Sequence, residues 1–311
     1  MKVVIAGGTG FLGSPLAEGY AEEGHDVRVL TRELPEGESR HDSGTGVPGV
    51  TRVGWSPQGQ AGPWATVIDG ADAVINPAGA SIGARRWTPQ RKALLHDSRI
   101  VPTRSLAAAI AAAAVPPPVF ISASGVGYYG TANGDSRVES SPAGDDFLAH
   151  LCGAWEGEAA RAQSARTRVV TLRSGVVLER TGGALVQMMM PFRFFAGGRM
   201  GSGRQYLSWI HRIDWIEMVR WIVDTSAISG PVNVTAPVPV TNREFARALG
   251  RAMRRPALVP TPSFALKLIL GEMATPLVLT GQRALPQCAL SRGFHFRYPE
   301  IDLAFRGIFG E

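Results

Sequence analysis

Apolar and polar positions change period repeatedly along the first half of the chain. Lys2–Ala6 is a short apolar run, 11–23 carries its apolar residues at helical spacing, and Asp26–Thr31 (DVRVLT) alternates like a strand. Further strands are predicted at 50–55, 71–76, 118–123 and 168–172, with helices at 89–114 and 145–165 between them. Strands alternating with helices imply an α/β fold, a doubly wound parallel sheet with right-handed crossovers. Between 33 and 49 a polar stretch rich in Gly, Ser and Pro reads as a long, mobile loop after the second strand.

The second half is less regular. An amphipathic helix is predicted at 213–223, with Asp214 near its start as cap or dipole partner, and a strand at 231–235. Helices follow at Asn242–Met253 and 264–273, then a tail punctuated by Pro and Gly. The expected division is a Rossmann domain over 1–177, which 208–236 rejoins, and a smaller substrate-side domain from 178–207 and 237–311.

Composition narrows the function classes. With 45% hydrophobic and 19% charged residues, the 311-residue chain is expected to fold rather than stay disordered. Its net charge of +6 comes almost wholly from arginine, since Lys2, Lys92 and Lys267 are its only lysines. The arginines are scattered and no zinc-finger spacing or basic helix accompanies them, so no nucleic-acid partner is expected; phosphate-bearing small molecules suit them better. Two cysteines, Cys152 and Cys288, build no disulfide framework and fit a reduced, cytoplasmic compartment. No His pair has metal-ligand spacing, so no metal is expected. No apolar run could span a bilayer, the start reads as a first strand and not a signal peptide, and no membrane partner is expected.

Chemistry enters at Gly7-Gly8-Thr9-Gly10-Phe11-Leu12-Gly13, directly after the first strand and opening the first helix. Read as GxxGxxG or GxGxxG, it puts glycine where the chain turns, where backbone approaches a pyrophosphate, and where helix meets strand. The helix N-terminus adds unpaired N–H groups and positive dipole. Roughly 20 residues beyond such glycines an acid marks a free ribose 2′-hydroxyl. Here the second strand ends Thr31-Arg32, and a guanidinium there suits a 2′-phosphate. NADP(H) is the expected cofactor, and the first domain is its binding domain.

Other segments carry a resemblance: Asn76-Pro77-Ala78-Gly79-Ala80, Arg86-Trp87, Asp97-Ser98-Arg99, Ser122-Ala123-Ser124 with Tyr128-Tyr129-Gly130, Trp155-Glu156, Arg173-Ser174-Gly175-Val176-Val177, Ser208-Trp209-Ile210-His211, Asn233-Val234-Thr235-Ala236-Pro237 and Gly281-Gln282-Arg283. With GGTGFLG they cover nearly the whole chain. The sequence resembles the extended short-chain dehydrogenase/reductase superfamily, and within it the atypical epimerase-like family whose members carry their own C-terminal domain. The resemblance implies a nucleotide site of Gly7, Thr9, Gly10, Phe11 and Leu12, with Gly13 closing the turn and Thr31-Arg32 at the adenosine phosphate. It also implies Pro77 and Ala78 along the cofactor, Arg99 reaching it from the crossover helix, and Val177 at the nicotinamide end.

One departure stands out. Most of the superfamily pairs a serine after the fifth strand with YxxxK on the next helix, where the ammonium lowers the phenol pKa. Ser124 is present, but no lysine stands four residues beyond any tyrosine. The expected positions hold Phe147 and Leu151, or Leu148 and Cys152 in the neighbouring register. Tyr128, just past Ser124, is the candidate stand-in acid. With no cation beside it, a phenol keeps its ordinary pKa of about 10 and suits reduction better than oxidation. His211 titrates near neutrality but reads as a cap or packing residue. The expected function is an NADP(H)-dependent oxidoreductase or epimerase-like protein of unknown substrate, its pocket lined by Ser124, Tyr128, Arg204, Gln205 and His211. A cofactor sensor without turnover is the second reading, and a UDP-sugar epimerase the third.

Overall fold

Seven parallel strands make the central sheet of the computed structural model, which describes residues 1–32, 43–44 (backbone only), 48–131 and 134–310. In chain order they are β1 (Lys2–Ala6), β2 (Asp26–Thr31), β3 (Val50–Gly54), β4 (Ala73–Asn76), β5 (Val119–Gly125) and β6 (Arg168–Ser174). A separate parallel pair, β7 (Val176–Leu178) and β8 (Trp209–His211), precedes the seventh, β9 (Gly230–Val234). The spatial order is β9-β6-β5-β4-β1-β2-β3, with Ser43–Gly44 antiparallel on the outer edge of β3. This is the doubly wound α/β class expected from the alternating pattern. The order reverses between β1 and β4, and such folds bind ligands at the carboxyl edge there.

Both faces of the sheet are covered, which is why β1, β4 and β5 read as continuous apolar runs. On one face Leu16 and Tyr20 of α1 (Gly13–Glu22) pack on Val3, Ile5, Val27 and Val29. On the other, Leu106 and Ile110 of α2 (Pro89–Ala112) and Ala159 of α3 (Phe147–Ala160) cover Val4, Leu30, Val74 and Phe120. Thr88 caps α2 by accepting from Arg91 N, with Pro89 at the first helical position. The predicted loop at 33–49 lies largely outside the described residues.

A third apolar cluster forms the C-terminal region. It joins Trp209, α4 (Gly183–Arg193) through Leu185 and Met189, α6 (Asn242–Met253) through Phe245 and Leu249, and α8 (Ile301–Phe309) through Phe305. α6 opens on a Thr241–Glu244 capping box. α4 is not among the elements predicted above, because the Gly182-Gly183 start and the internal Pro191 hide its spacing.

Of the two roles expected of Asp214, cap or dipole partner, the structure overturns only the cap. Asp214 stands in the first turn of α5 (Arg212–Asp224), but the cap is His211, whose Nδ1 accepts from Ile213 N at 3.1 Å. Asp214 is fully buried and accepts from the backbone N–H groups of Arg297 and Tyr298 at 2.8 and 2.9 Å, tying the tail to the sheet. Burial raises its carboxyl to about 6, against those two bonds, which lower it. Burial likewise pushes the His211 ring down to about 4, and the ring stacks on Tyr298.

Candidate functional site

The glycine turn fits its expected task in backbone terms. Gly7 has φ of 83°, and a Cβ there would lie 3.0 Å from Ala78 Cα. A Cβ on Gly13 would overlap the Gly7 carbonyl oxygen, so helix and strand meet only because both lack side chains. Gly10 has more room, with only Gly7 O at 3.2 Å. No side chain caps α1 at Leu12, and no acid stands in its first turn. Thr9 and Gly10 are exposed at this edge, while the Phe11 ring lies against Gly182 and Gly183 at the start of α4. Backbone donors, a helix N-terminus and no Cβ in the way are the features an anion such as a pyrophosphate requires.

Thr31 is buried at the end of β2, and Arg32 beyond it is exposed. A neighbouring cleft of about 130 Å³ is lined by Gly8, Thr9, Ser14, Val29 and Arg52 among others. Across the switch point Pro77 and Ala78 are half-buried beside Gly7. Asn76 fixes their turn: its Oδ1 accepts from Ala78 N at 3.3 Å and its Nδ2 donates to Thr103 at 2.9 Å. Arg99 is buried under that turn and donates to Leu95 O and Ala80 O, both at 2.9 Å. Desolvation brings its guanidinium down to about 10. Val177 is buried in β7, paired with Ile210.

The other half of the edge is made of side chains. Register places Ser124 of β5 beside Arg173 of β6, and Arg173 beside Asn233 of β9, one row across three strands. α3 lies over that row and adds Glu156. Ser124 Oγ donates to Glu156 Oε1 at 2.7 Å, and Arg173 donates to both carboxylate oxygens at 2.9 Å. Tyr129, on the short helical turn Val126–Tyr129, donates to Asn233 Oδ1 at 2.7 Å and accepts from Arg173 at 3.1 Å. Burial raises the Tyr129 phenol against those lowering partners. It is locked into the fold. Burial alone would lower the Arg173 guanidinium, but its bonds to Glu156 and Tyr129 carry it upward.

Tyr128 is half-buried, and its ring faces the Arg173 guanidinium at 3.4 Å. This corrects the expectation of a tyrosine without a cation: the charge comes from β6 instead of α3. On α3 itself, Leu148 and Cys152 are the pair that faces this edge. A Cβ on Gly127 would lie 3.0 Å from Leu148 Cβ, and Cys152 Sγ stands 3.8 Å from one on Gly125. Desolvation raises the Cys152 thiol to about 11, so it is an apolar filler and not a base.

Two expected pocket residues are otherwise engaged. His211 caps α5, and Gln205 donates to the Met200 and Val278 carbonyls at 2.9 and 2.8 Å. Arg204 is exposed. Arg173, Glu156 and Asn233, quoted above only as resembling segments, turn out to organise the cluster. Lys92 bonds Glu272 at 2.8 Å, linking α2 to the C-terminal region. Among the described residues no three His, Cys, Asp or Glu side chains form a group able to hold a metal.

Comparison with known proteins gives this arrangement a context. Residues 3–234 match the NAD dependent epimerase/dehydratase family, and 261–308 match a domain of unknown function, DUF1731. An epimerase family protein of Mycobacterium leprae is 42% identical over 97% of this chain and 94% of its own. The epimerase family protein YfhF of Bacillus subtilis is 39% identical over 98% and 96%. The crystal structure of human epimerase family protein SDR39U1 (isoform 2) with NADPH superposes with a TM-score of 0.86 at 33% identity, covering 100% of both chains. The resemblance read from the motifs therefore holds, and the chain belongs to the NAD dependent epimerase/dehydratase family, with a DUF1731 region at its C-terminal end.

Proposed function

We propose that this chain is an NADP(H)-dependent oxidoreductase of the epimerase-like type, cytoplasmic, acting on a small carbonyl or alcohol substrate that bears phosphate or sugar. The observation that carries the reading is a pyrophosphate cradle and a cation-backed tyrosine on one sheet edge. Arg32, exposed beyond β2, supports the choice of NADP(H), as does the NADPH in the human relative. Gly7, Thr9, Gly10, Phe11, Leu12 and Gly13 would hold the pyrophosphate, Pro77, Ala78 and Arg99 the ribose side, and Val177 the nicotinamide end. When bound, the cofactor supplies a hydride donor or acceptor.

The chain's own residues supply the proton. In reduction, Tyr128 Oη donates its proton to the substrate oxygen, its ring held in place against the Arg173 guanidinium. Ser124 already donates its hydrogen bond to Glu156, so its oxygen offers lone pairs to a substrate hydroxyl. Glu156 neutralises Arg173 and holds it against the ring. Leu148 and Cys152 in place of YxxxK favour one second reading, a protein that binds NADP(H) without turning it over.

The two readings separate on turnover. NADPH oxidation followed with a panel of aldehydes, ketones and keto-sugar phosphates should show activity in the parent protein. Tyr128→Phe should lower it about a hundred-fold or more while NADPH affinity holds. NADPH binding without oxidation by any carbonyl would favour the sensor. Full activity in Tyr128→Phe would remove the tyrosine from the mechanism.

A further inference from the structure

We propose that the C-terminal region carries a docking surface for an anionic lipid membrane. The charge is unevenly placed. Residues 180–213 and 245–271 hold ten Arg or Lys and no Asp or Glu, leaving 22 of the 32 cations and all 26 acids to the other residues. The positive net charge of the chain therefore resides in these two segments. They meet at 197–200 and 259–261: Val259 N donates to Gly197 O, Thr261 N donates to Arg199 O, and Met200 bridges Thr261, while Arg212 of the first segment pairs with Glu179.

Large apolar side chains stand out of this same face. Leu258 is 84% exposed and Phe194 73%, and the exposed Phe195 carries the Arg255 guanidinium over its ring at 4.5 Å. α7 (Ser263–Leu270), which follows in the chain, exposes Phe264 and Leu268 one turn apart beside Lys267. The backbone is also held out of its ordinary range here. Among the described residues, Phe195 and Arg254 are the two non-glycine residues with left-handed φ, 58° and 54°. Between Arg254, Arg255, Leu258, Arg247 and Arg251 lies an open depression of about 440 Å³, large enough for a phosphate headgroup. Arg251 there pairs with Asp302 at 2.7 Å.

Guanidinium groups interleaved with protruding aromatic and aliphatic side chains suit an interface where acyl chains begin beneath phosphates. A second copy of the chain would bring like charges together. A peptide groove would recess its apolar groups, whereas side chains three-quarters exposed stand proud. No helix of the described residues is long and apolar enough to cross a membrane, and a surface anchor requires none.

The test is co-sedimentation of the full chain with phosphatidylcholine vesicles, with or without one-third phosphatidylglycerol, at low and high salt. The protein should pellet with the anionic vesicles only, and high salt should release it. Paired replacements Arg254→Glu with Arg255→Glu, and Phe194→Asp with Leu258→Asp, should each weaken partition by about thirty-fold at unchanged melting temperature. Val115→Asp, at an exposed apolar side chain elsewhere, should change nothing. Failure to bind anionic vesicles, or binding indifferent to both pairs, would overturn the proposal. So would a dimer in solution that Leu258→Asp dissociates, since that assigns the face to a second copy.

Discussion

Around β1 the carboxyl edge of the sheet is shaped by side chains that are missing, whereas around β5, β6 and β9 it is filled by side chains that are present. The first half is built on a turn, 7–13, in which Gly7 and Gly13 let backbone touch backbone and no residue is titratable. The second is a hydrogen-bonded assembly of Ser124, Glu156, Arg173, Tyr129 and Asn233, in which each member satisfies another. A shape made of backbone tolerates change in its surroundings but none at its own positions. An assembly of buried polar groups fails when any one partner leaves, because those remaining are stranded away from water.

The largest expected effect tests that fragility. Glu156→Ala leaves the Arg173 guanidinium, 4% exposed, without its carboxylate and should cost about 3–5 kcal/mol of unfolding free energy in urea. A cost below about 1 kcal/mol, the range of exposed ion pairs, would erase the contrast between the two halves.

Acid probes a third place, where β8 meets the tail. The His211 Nδ1 must be neutral to accept from Ile213, and its folded value of about 4 lies below the ordinary 6.5. Its contribution is therefore complete above about 6.5 and lost as pH falls through about 4, about 3 kcal/mol in all. Asp214 runs the other way, since its raised value means stability present below the ordinary 3.8 and lost as pH rises through about 6. In the parent the two oppose each other. Melting temperatures between pH 7 and pH 4 should fall on acidification in Asp214→Asn and rise in His211→Gln. Parallel slopes in the two variants would show that neither ring nor carboxyl is responsible.

The smallest effect lies in the backbone-built half. Arg32→Ala should weaken NADPH by about 10- to 100-fold, equivalent to about 1.5–3 kcal/mol, and leave NADH nearly unchanged. Calorimetry that finds both cofactors bound equally by the parent would break the assignment of Arg32 to the 2′-phosphate.

The contrast also explains what could be read from the sequence. The glycine turn is local: its strand, its spacing and its helix follow one another in the chain, so Lys2–Ala6 and Asp26–Thr31 were expected at their observed bounds. Ser124, Arg173 and Asn233 become neighbours only when strand order and register bring them into one row. A signal was present all the same. Arg173 interrupts the apolar run of β6 and Asn233 that of β9, and a charge or amide inside a strand buried on both faces must have a partner. Which partner depends on contacts across the sheet. Arg173 over Tyr128 is the clearest case, because periodicity looks for its cation on the helix while the fold delivers it from a strand.

The bonds from Arg297 and Tyr298 to Asp214 bear on how the molecule is made. They span 83 and 84 residues, and Asn233 waits for Leu285 in the same way, its Nδ2 donating to that carbonyl. A growing chain that has left the ribosome as far as β9 has every strand of the sheet, yet its buried carboxylate has no donors until almost the last helix is synthesised. Pairing over such distances in sequence is slow, and the interval is one in which chaperones find a client. A stop codon shortly before Arg297 would therefore leave all strands of the sheet in place but Asp214 buried without its two backbone donors.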